Sequence, residues 1–126
     1  MKKVIAVCGS DEGDINLSKY ALKVAEEVGS HIADENGVLA CGGHGGVMEA
    51  ACKGAKSREG LTLGILPYDK EEANKYVDIA LPTQLGNIRN FMVVNSADVV
   101  IAIAGRWGTL NEISYAMISK KPVILI

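Results

Sequence analysis

Val99-Val100-Ile101-Ala102-Ile103-Ala104-Gly105-Arg106-Trp107-Gly108-Thr109-Leu110-Asn111-Glu112 is the stretch that decides how this chain is read. Its first five residues include no polar side chain and are mostly β-branched, as expected of a parallel strand buried on both faces. Glycines follow at once. Gly105 and Gly108 let the backbone turn tightly and approach a ligand, and Thr109 is placed to cap a helix with Leu110, Ile113 and Met117 on one face. Such a helix start offers free N–H groups to a phosphate. Glu112 falls about one turn into that helix, so its carboxylate projects beside the same pocket and would repel a phosphate unless it serves the chemistry. Glycine-rich strand-to-helix turns also occur in α/β proteins that bind nothing at that loop.

Upstream, Lys3 to Cys8 reads as a buried strand ending at Gly9-Ser10, a small-residue turn open to a ligand. Ala21, Ala25, Val28 and Ile32 recur at helical spacing, which predicts a helix from about Ile15 to Glu35 that tolerates Gly29 and stops at Asn36-Gly37. Val38 to Cys41 is a second strand. It leads into Gly42-Gly43-His44-Gly45-Gly46, the most glycine-dense loop of the chain, and then a helix in which Gly54 permits close packing. This loop matches neither G-x-G-x-x-G nor a P-loop, so dinucleotide binding and P-loop chemistry are disfavoured. Leu61 to Leu66 makes a third strand stopped by Pro67, and Tyr68 to Lys75 a surface loop or short helix. Val77 to Leu81 is a weaker fourth strand. Leu85 to Ser96 reads as a helix with Ile88, Met92 and Val93 inward, and Lys121 to Ile126 as a final strand that Pro122 can only begin.

Strands alternating with helices predict a single Rossmann-like domain over residues 1–126: a doubly wound parallel sheet in a three-layer α/β/α sandwich with right-handed crossovers. The expected strand order is 3-2-1-4-5-6, with a crevice between the first and fourth strands. A final apolar strand with no helix after it implies either a truncated segment that lacks its C-terminal helix or cover by a second subunit, and the second alternative is a homodimer or larger homo-oligomer.

Composition bounds the function. Thirteen Lys and Arg against fifteen Asp and Glu give a net charge of −2 with no basic cluster, which argues against a nucleic-acid partner. The apolar runs are strand-sized, so no membrane span or signal peptide is expected. Three cysteines without C-x-x-C spacing fit a reduced, cytoplasmic protein. A metal site can be drawn from Cys8, Cys41 and His44, but no fourth ligand is evident, so none is expected. Asp11, Glu12 and Asp14 read as a solvated loop and helix cap, and Glu49 as a helix-dipole partner.

Every strand-to-helix loop of such a sheet emerges at its carboxyl edge. Arg89, early in the helix after the fourth strand, should therefore share a crevice with Gly105, Thr109 and Glu112, with Ser10 and the Gly42 to Gly46 loop opposite. An arginine there suits a phosphate or a leaving group that gains negative charge.

The segments Arg89-Asn90, Ser96-Ala97-Asp98 and Gly105 to Glu112 resemble the R-K, S-D and P-G-G-x-G-T-x-x-E signature of the Lonely-guy (LOG) family, long labelled lysine-decarboxylase-like. Gly42 to Ala50, Gly54-Ala55 and Gly64 to Pro67 are more similar still to its molybdenum-cofactor-carrier-like branch. The LOG resemblance implies hydrolysis of a nucleoside 5′-monophosphate to free base and ribose 5-phosphate, with Arg89 and Glu112 as catalytic residues. Gly9, Ser10, Gly42, Gly43, Gly45, Gly46, Gly105, Arg106, Gly108 and Thr109 would cradle the phosphate. The carrier-like resemblance implies binding of a phosphate-bearing cofactor, such as the molybdenum cofactor, without turnover. Either way the ligand is a small phosphorylated molecule, a nucleoside monophosphate or phosphate, and no resident cofactor is required; nothing in the sequence marks out a Schiff-base lysine for pyridoxal-phosphate chemistry. A scaffold that has lost its ligand is the third reading. Ala104, Arg106 and Asn90 depart from the LOG signature. Arg106 either strengthens phosphate binding or fills the space of a base or ribose. Trp107 either stacks on a base or packs against a neighbouring helix or subunit.

Overall fold

The computed structural model describes residues 1–126. Six strands and four helices alternate except between β3 and β4, which only a 3-10 turn separates: β1 (Val4–Gly9), α1 (Lys19–Asp34), β2 (Val38–Cys41), α2 (Val47–Ser57), β3 (Leu61–Leu66), β4 (Ile79–Pro82), α3 (Arg89–Ser96), β5 (Val99–Ile103), α4 (Trp107–Ile118) and β6 (Val123–Leu125), with single 3-10 turns at Lys70–Glu72 and Gly86–Ile88. All strand pairings are parallel. The α/β three-layer expectation is met, because alternate residues of the central strands feed two cores. Val7, Leu39, Cys41 and Ile103 pack with Ala25, Ile32, Val47, Ala51 and Ala55 of α1 and α2. Ala6, Cys8, Ile65 and Val100 pack with Val93, Val94, Ala97 and Ala116 of α3 and α4. The two helices of the first layer touch closely. A Cβ on Gly54 would lie 1.8 Å from the Glu26 carbonyl oxygen, so only glycine allows this crossing. No helix is long and apolar enough to cross a membrane.

The strand order differs from the expected 3-2-1-4-5-6. It is β4-β3-β2-β1-β5-β6, so the crevice opens between β1 and β5. Two aspartates explain the difference. Asp78 accepts from the Thr62 amide at 3.0 Å and pairs with Lys56 at 2.9 Å, which seats the start of β4 outside β3. Asp98 accepts from the Val4 amide at 2.9 Å while its own amide donates to the Val4 carbonyl at 2.8 Å, which claims the place beside β1 for β5. The chain must therefore cross from the edge of the sheet back over its centre, and α3 is that crossing.

Helix bounds also shift. The expected start at Ile15 is replaced by Lys19, because Ser18 caps α1 by accepting from the Ala21 amide at 3.0 Å. The expected helix from Leu85 is split: a 3-10 turn follows Gly86, and α3 begins at Arg89. That change of phase turns Ile88 (68% exposed) and Met92 outward and leaves Arg89, Asn90, Val93 and Val94 against the sheet. In α4 the buried face is Thr109, Glu112 and Ala116, whereas Leu110 and Met117 face out. Thr109 does not cap α4; Arg106 occupies the cap position without a side-chain bond, and Thr109 is inside the first turn.

Candidate functional site

β1 and β5 end in register, Gly9 opposite Ile103, and their following loops diverge to opposite faces of the sheet. The divergence leaves a cleft of about 460 Å³ at the carboxyl edge. Arg89 and Glu112 both line it, as the shared crevice required. So do Gly9, Ser10, Gly42, Arg106, Gly108 and Thr109.

Arg89 reaches the cleft because α3 crosses the sheet centre. It is only 8% exposed. Its guanidinium lies against Gly42, where a Cβ would come within 2.8 Å of it, so the absent side chain is what admits the arginine. One Nη donates to the Asn90 carbonyl oxygen of the side-chain amide. Nε is buried without any partner, and no ion pair of the chain involves Arg89. A buried cation short of one acceptor is costly by itself and favours an incoming anion.

Glu112, also 8% exposed, is brought to the cleft by the buried stripe of α4. Burial pushes its carboxyl from 4.5 up to about 7, outweighing the Cys8 thiol and the Arg89 charge, which act the other way. The Cys8 thiol is in turn raised by burial and by Glu112. The first turn of α4 begins at Trp107, and Gly108 and Thr109 present its free amides on the cleft side.

The remaining predicted glycines, Gly43, Gly45, Gly46 and Gly105, do not line the cleft; they pack the loops beside it. Gly46 has φ +63°, and a Cβ there would lie 2.2 Å from the Ser10 carbonyl oxygen, which itself accepts from the Val47 amide at 2.9 Å. Gly45 packs on Glu12, and Gly43 on Leu66. Gly105 has φ +143° and sits against Thr109. Ala104, where the LOG signature has proline, has φ +52°, a conformation that a proline ring forbids.

Several residues at the site carry roles that the sequence reading did not assign. Asp11 and Asp14 are not simply solvated; both line the cleft. Ser10 donates to Asp14 at 2.7 Å and the Asn16 amide donates to its other oxygen at 2.9 Å, which holds Asp14 below the usual carboxylate range. His44, which lines the cleft with Asp11, lies 3.4 Å from Asp11 and 3.4 Å from Glu72. Asn74 donates to the carbonyls of Gly43 (3.3 Å) and His44 (2.8 Å), fixing the glycine loop from a segment thirty residues away. The Ser10 to Asp14 spacing was a usable signal; for Asn74 there was none. No group of three or more His, Cys, Asp or Glu side chains is arranged to hold a metal ion.

A family model, the SLOG cluster4 family, matches residues 2–126. The chain belongs to the SLOG cluster4 family. The superfamily and the carrier-like branch read from the motifs are both borne out. This SLOG cluster4 chain is similar to the molybdenum cofactor binding protein of the phototrophic bacterium Rippkaea orientalis, at 46% identity and a TM-score of 0.94 over 99% of this chain and 76% of that one. It is similar to the molybdenum cofactor carrier protein of Chlamydomonas reinhardtii, at 38% identity and a TM-score of 0.90 over 98% and 76% of the two chains. An uncharacterized protein of Archaeoglobus fulgidus is 42% identical over 119 residues, 94% of this chain and 76% of its own.

Proposed function

We propose that this protein binds a small phosphate-bearing ligand of the molybdenum-cofactor class, a phosphorylated pterin, and carries it without turnover. The observation that carries the reading is Arg89: a buried guanidinium with an unpartnered Nε on a cleft that the first turn of α4 also lines. Phosphate supplies the missing acceptors to both. The identity with the Rippkaea orientalis and Chlamydomonas reinhardtii proteins supports a cofactor of this kind over a nucleotide substrate. Arg106 adds a second cation at the cleft. The test is thermal and chemical denaturation with molybdopterin, AMP and inorganic phosphate. A ligand at a hundred times its Kd stabilises by about 2.7 kcal/mol. No stabilisation by any of the three refutes binding at this cleft.

Hydrolysis is the second reading, favoured by one observation: Glu112 at about 7 is poised to take a proton from water beside Arg89. Water would add to C1′ of a nucleoside monophosphate as the C1′–N bond breaks, with the proton passing through Glu112 to the departing base. Incubation with AMP measures it directly. Absence of free base, or equal release by Glu112→Ala, removes this reading and leaves carriage.

We further propose a homo-oligomer within a cytoplasmic setting. Sedimentation velocity tests the first part, and a monomer across micromolar concentrations refutes it.

A further inference from the structure

A second hollow of about 660 Å³ lies between α3 and α4, and it adjoins the cleft: Asn87, Asn90 and Gly108 border both. Its walls are of a different character. Trp107 stands in this lining and is 80% exposed, so it is not packed against a neighbouring helix. Phe91 and Tyr115, also in the lining, lie ring to ring, their centroids 3.9 Å apart. The polar lining consists of amides, which each offer a donor and an acceptor. Asn90 spends its oxygen on Arg89 and leaves its NH₂ free toward Gly108. A Cβ on Gly108 would meet only that nitrogen, at 3.8 Å, so the border shared by the two hollows is not crowded there.

We propose that this hollow is the subsite for the planar heterocycle of the ligand, with Trp107 as the stacking face and Asn87, Asn90 and Asn111 reading the heterocycle's edge. The inference rests on the phosphate-binding reading of the cleft, and deepens it. A flat ring with donors and acceptors along one side fits a slot of aromatic faces and amide edges, whereas an aliphatic or purely anionic group uses neither. The shared border makes one ligand span both hollows, phosphate at Arg89 and ring at Trp107. Trp107 thus determines specificity and takes no part in chemistry.

Trp107 is the sole tryptophan of the chain and reports on its own contact. The probes are GMP, ribose 5-phosphate and inorganic phosphate; guanine carries the 2-amino-4-oxopyrimidine edge of a pterin. GMP should quench Trp107 emission saturably, with inorganic phosphate reversing it. By calorimetry GMP should bind at least about tenfold more tightly than ribose 5-phosphate. Trp107→Ala, which removes an exposed side chain and leaves the fold intact, should abolish that advantage and leave ribose 5-phosphate binding unchanged. If ribose 5-phosphate binds and GMP neither binds more tightly nor quenches, the ring lies elsewhere; this inference falls and the phosphate reading stands. If none of the probes binds, both fall. A blue-shifted, concentration-dependent emission unaffected by GMP means a second copy covers Trp107, which also overturns the subsite.

Discussion

Replacing Glu112 with glutamine keeps the side chain's shape and removes its proton equilibrium. In the folded chain burial holds the Glu112 carboxyl up at about 7 against an ordinary 4.5. Between those two values the native state keeps a proton that the unfolded chain has released. Stability therefore falls as pH rises through the window and is level on either side of it. At about 1.4 kcal/mol per pH unit, the loss by the upper end is about 3 kcal/mol. Urea denaturation of wild type and Glu112→Gln across this range measures it, because taking the difference cancels the carboxylates and histidines that both proteins share. The wild type's stability relative to the variant should drop by about 3 kcal/mol from the lower value to the upper and then stay flat. A difference that is constant to within about 0.5 kcal/mol, or one that grows with pH as it would for an ion-paired carboxylate, refutes the assignment of a buried, proton-holding acid. Sulfate provides a second reading of the same group, since it does not itself titrate near neutrality. An anion beside Arg89 is repelled less when Glu112 is protonated, so sulfate should stabilise wild type more below neutrality than above it. Glu112→Gln should show no such dependence.

Arg89→Met exchanges an incompletely satisfied buried cation for an apolar chain of similar length; stability should stay within about 1 kcal/mol of wild type or rise, while stabilisation by sulfate disappears in thermal scans. Gly46→Ala forces a left-handed backbone on a side chain 2.2 Å from the Ser10 carbonyl oxygen, and urea titration should show a loss of about 3 kcal/mol or more; an unchanged midpoint would mean the two loops are not in contact. Asn74→Ala removes the donors to Gly43 and His44 and should cost about 1–2 kcal/mol, with faster amide exchange confined to the glycine loop.

The parallel sheet was legible because a strand buried on both faces must be apolar throughout, and Val99 to Ile103 admits no other period. Its order was not, since the places of β4 and β5 are set by Asp78 and Asp98, single side chains whose partners Thr62, Lys56 and Val4 are far away in sequence. The phase of α3 was lost for a local reason: Gly86 inserts a 3-10 turn that a continuous helical periodicity does not register, and Ile88 and Met92 are turned outward by it.

The site divides along the same line. Arg89 and Glu112 could be placed together without the correct strand order, because every loop that follows a parallel strand opens at one edge and α3 returns over the sheet centre. The glycines could not be sorted this way. A glycine chosen for contact with a ligand and one chosen for contact with another stretch of backbone have the same signature, a missing Cβ. Gly42 faces the cleft and admits the Arg89 guanidinium, whereas Gly46 faces the Ser10 carbonyl and joins two loops. The consequence is chemical. With Gly43, Gly45 and Gly46 packed on Leu66, Glu12 and Ser10 and the loop tied to Asn74, the proposed anion site rests on the α4 amides and on Arg89. In the proposed complex a phosphate between them leaves the rest of its ligand room past Gly108 toward Trp107, in the hollow proposed for its ring.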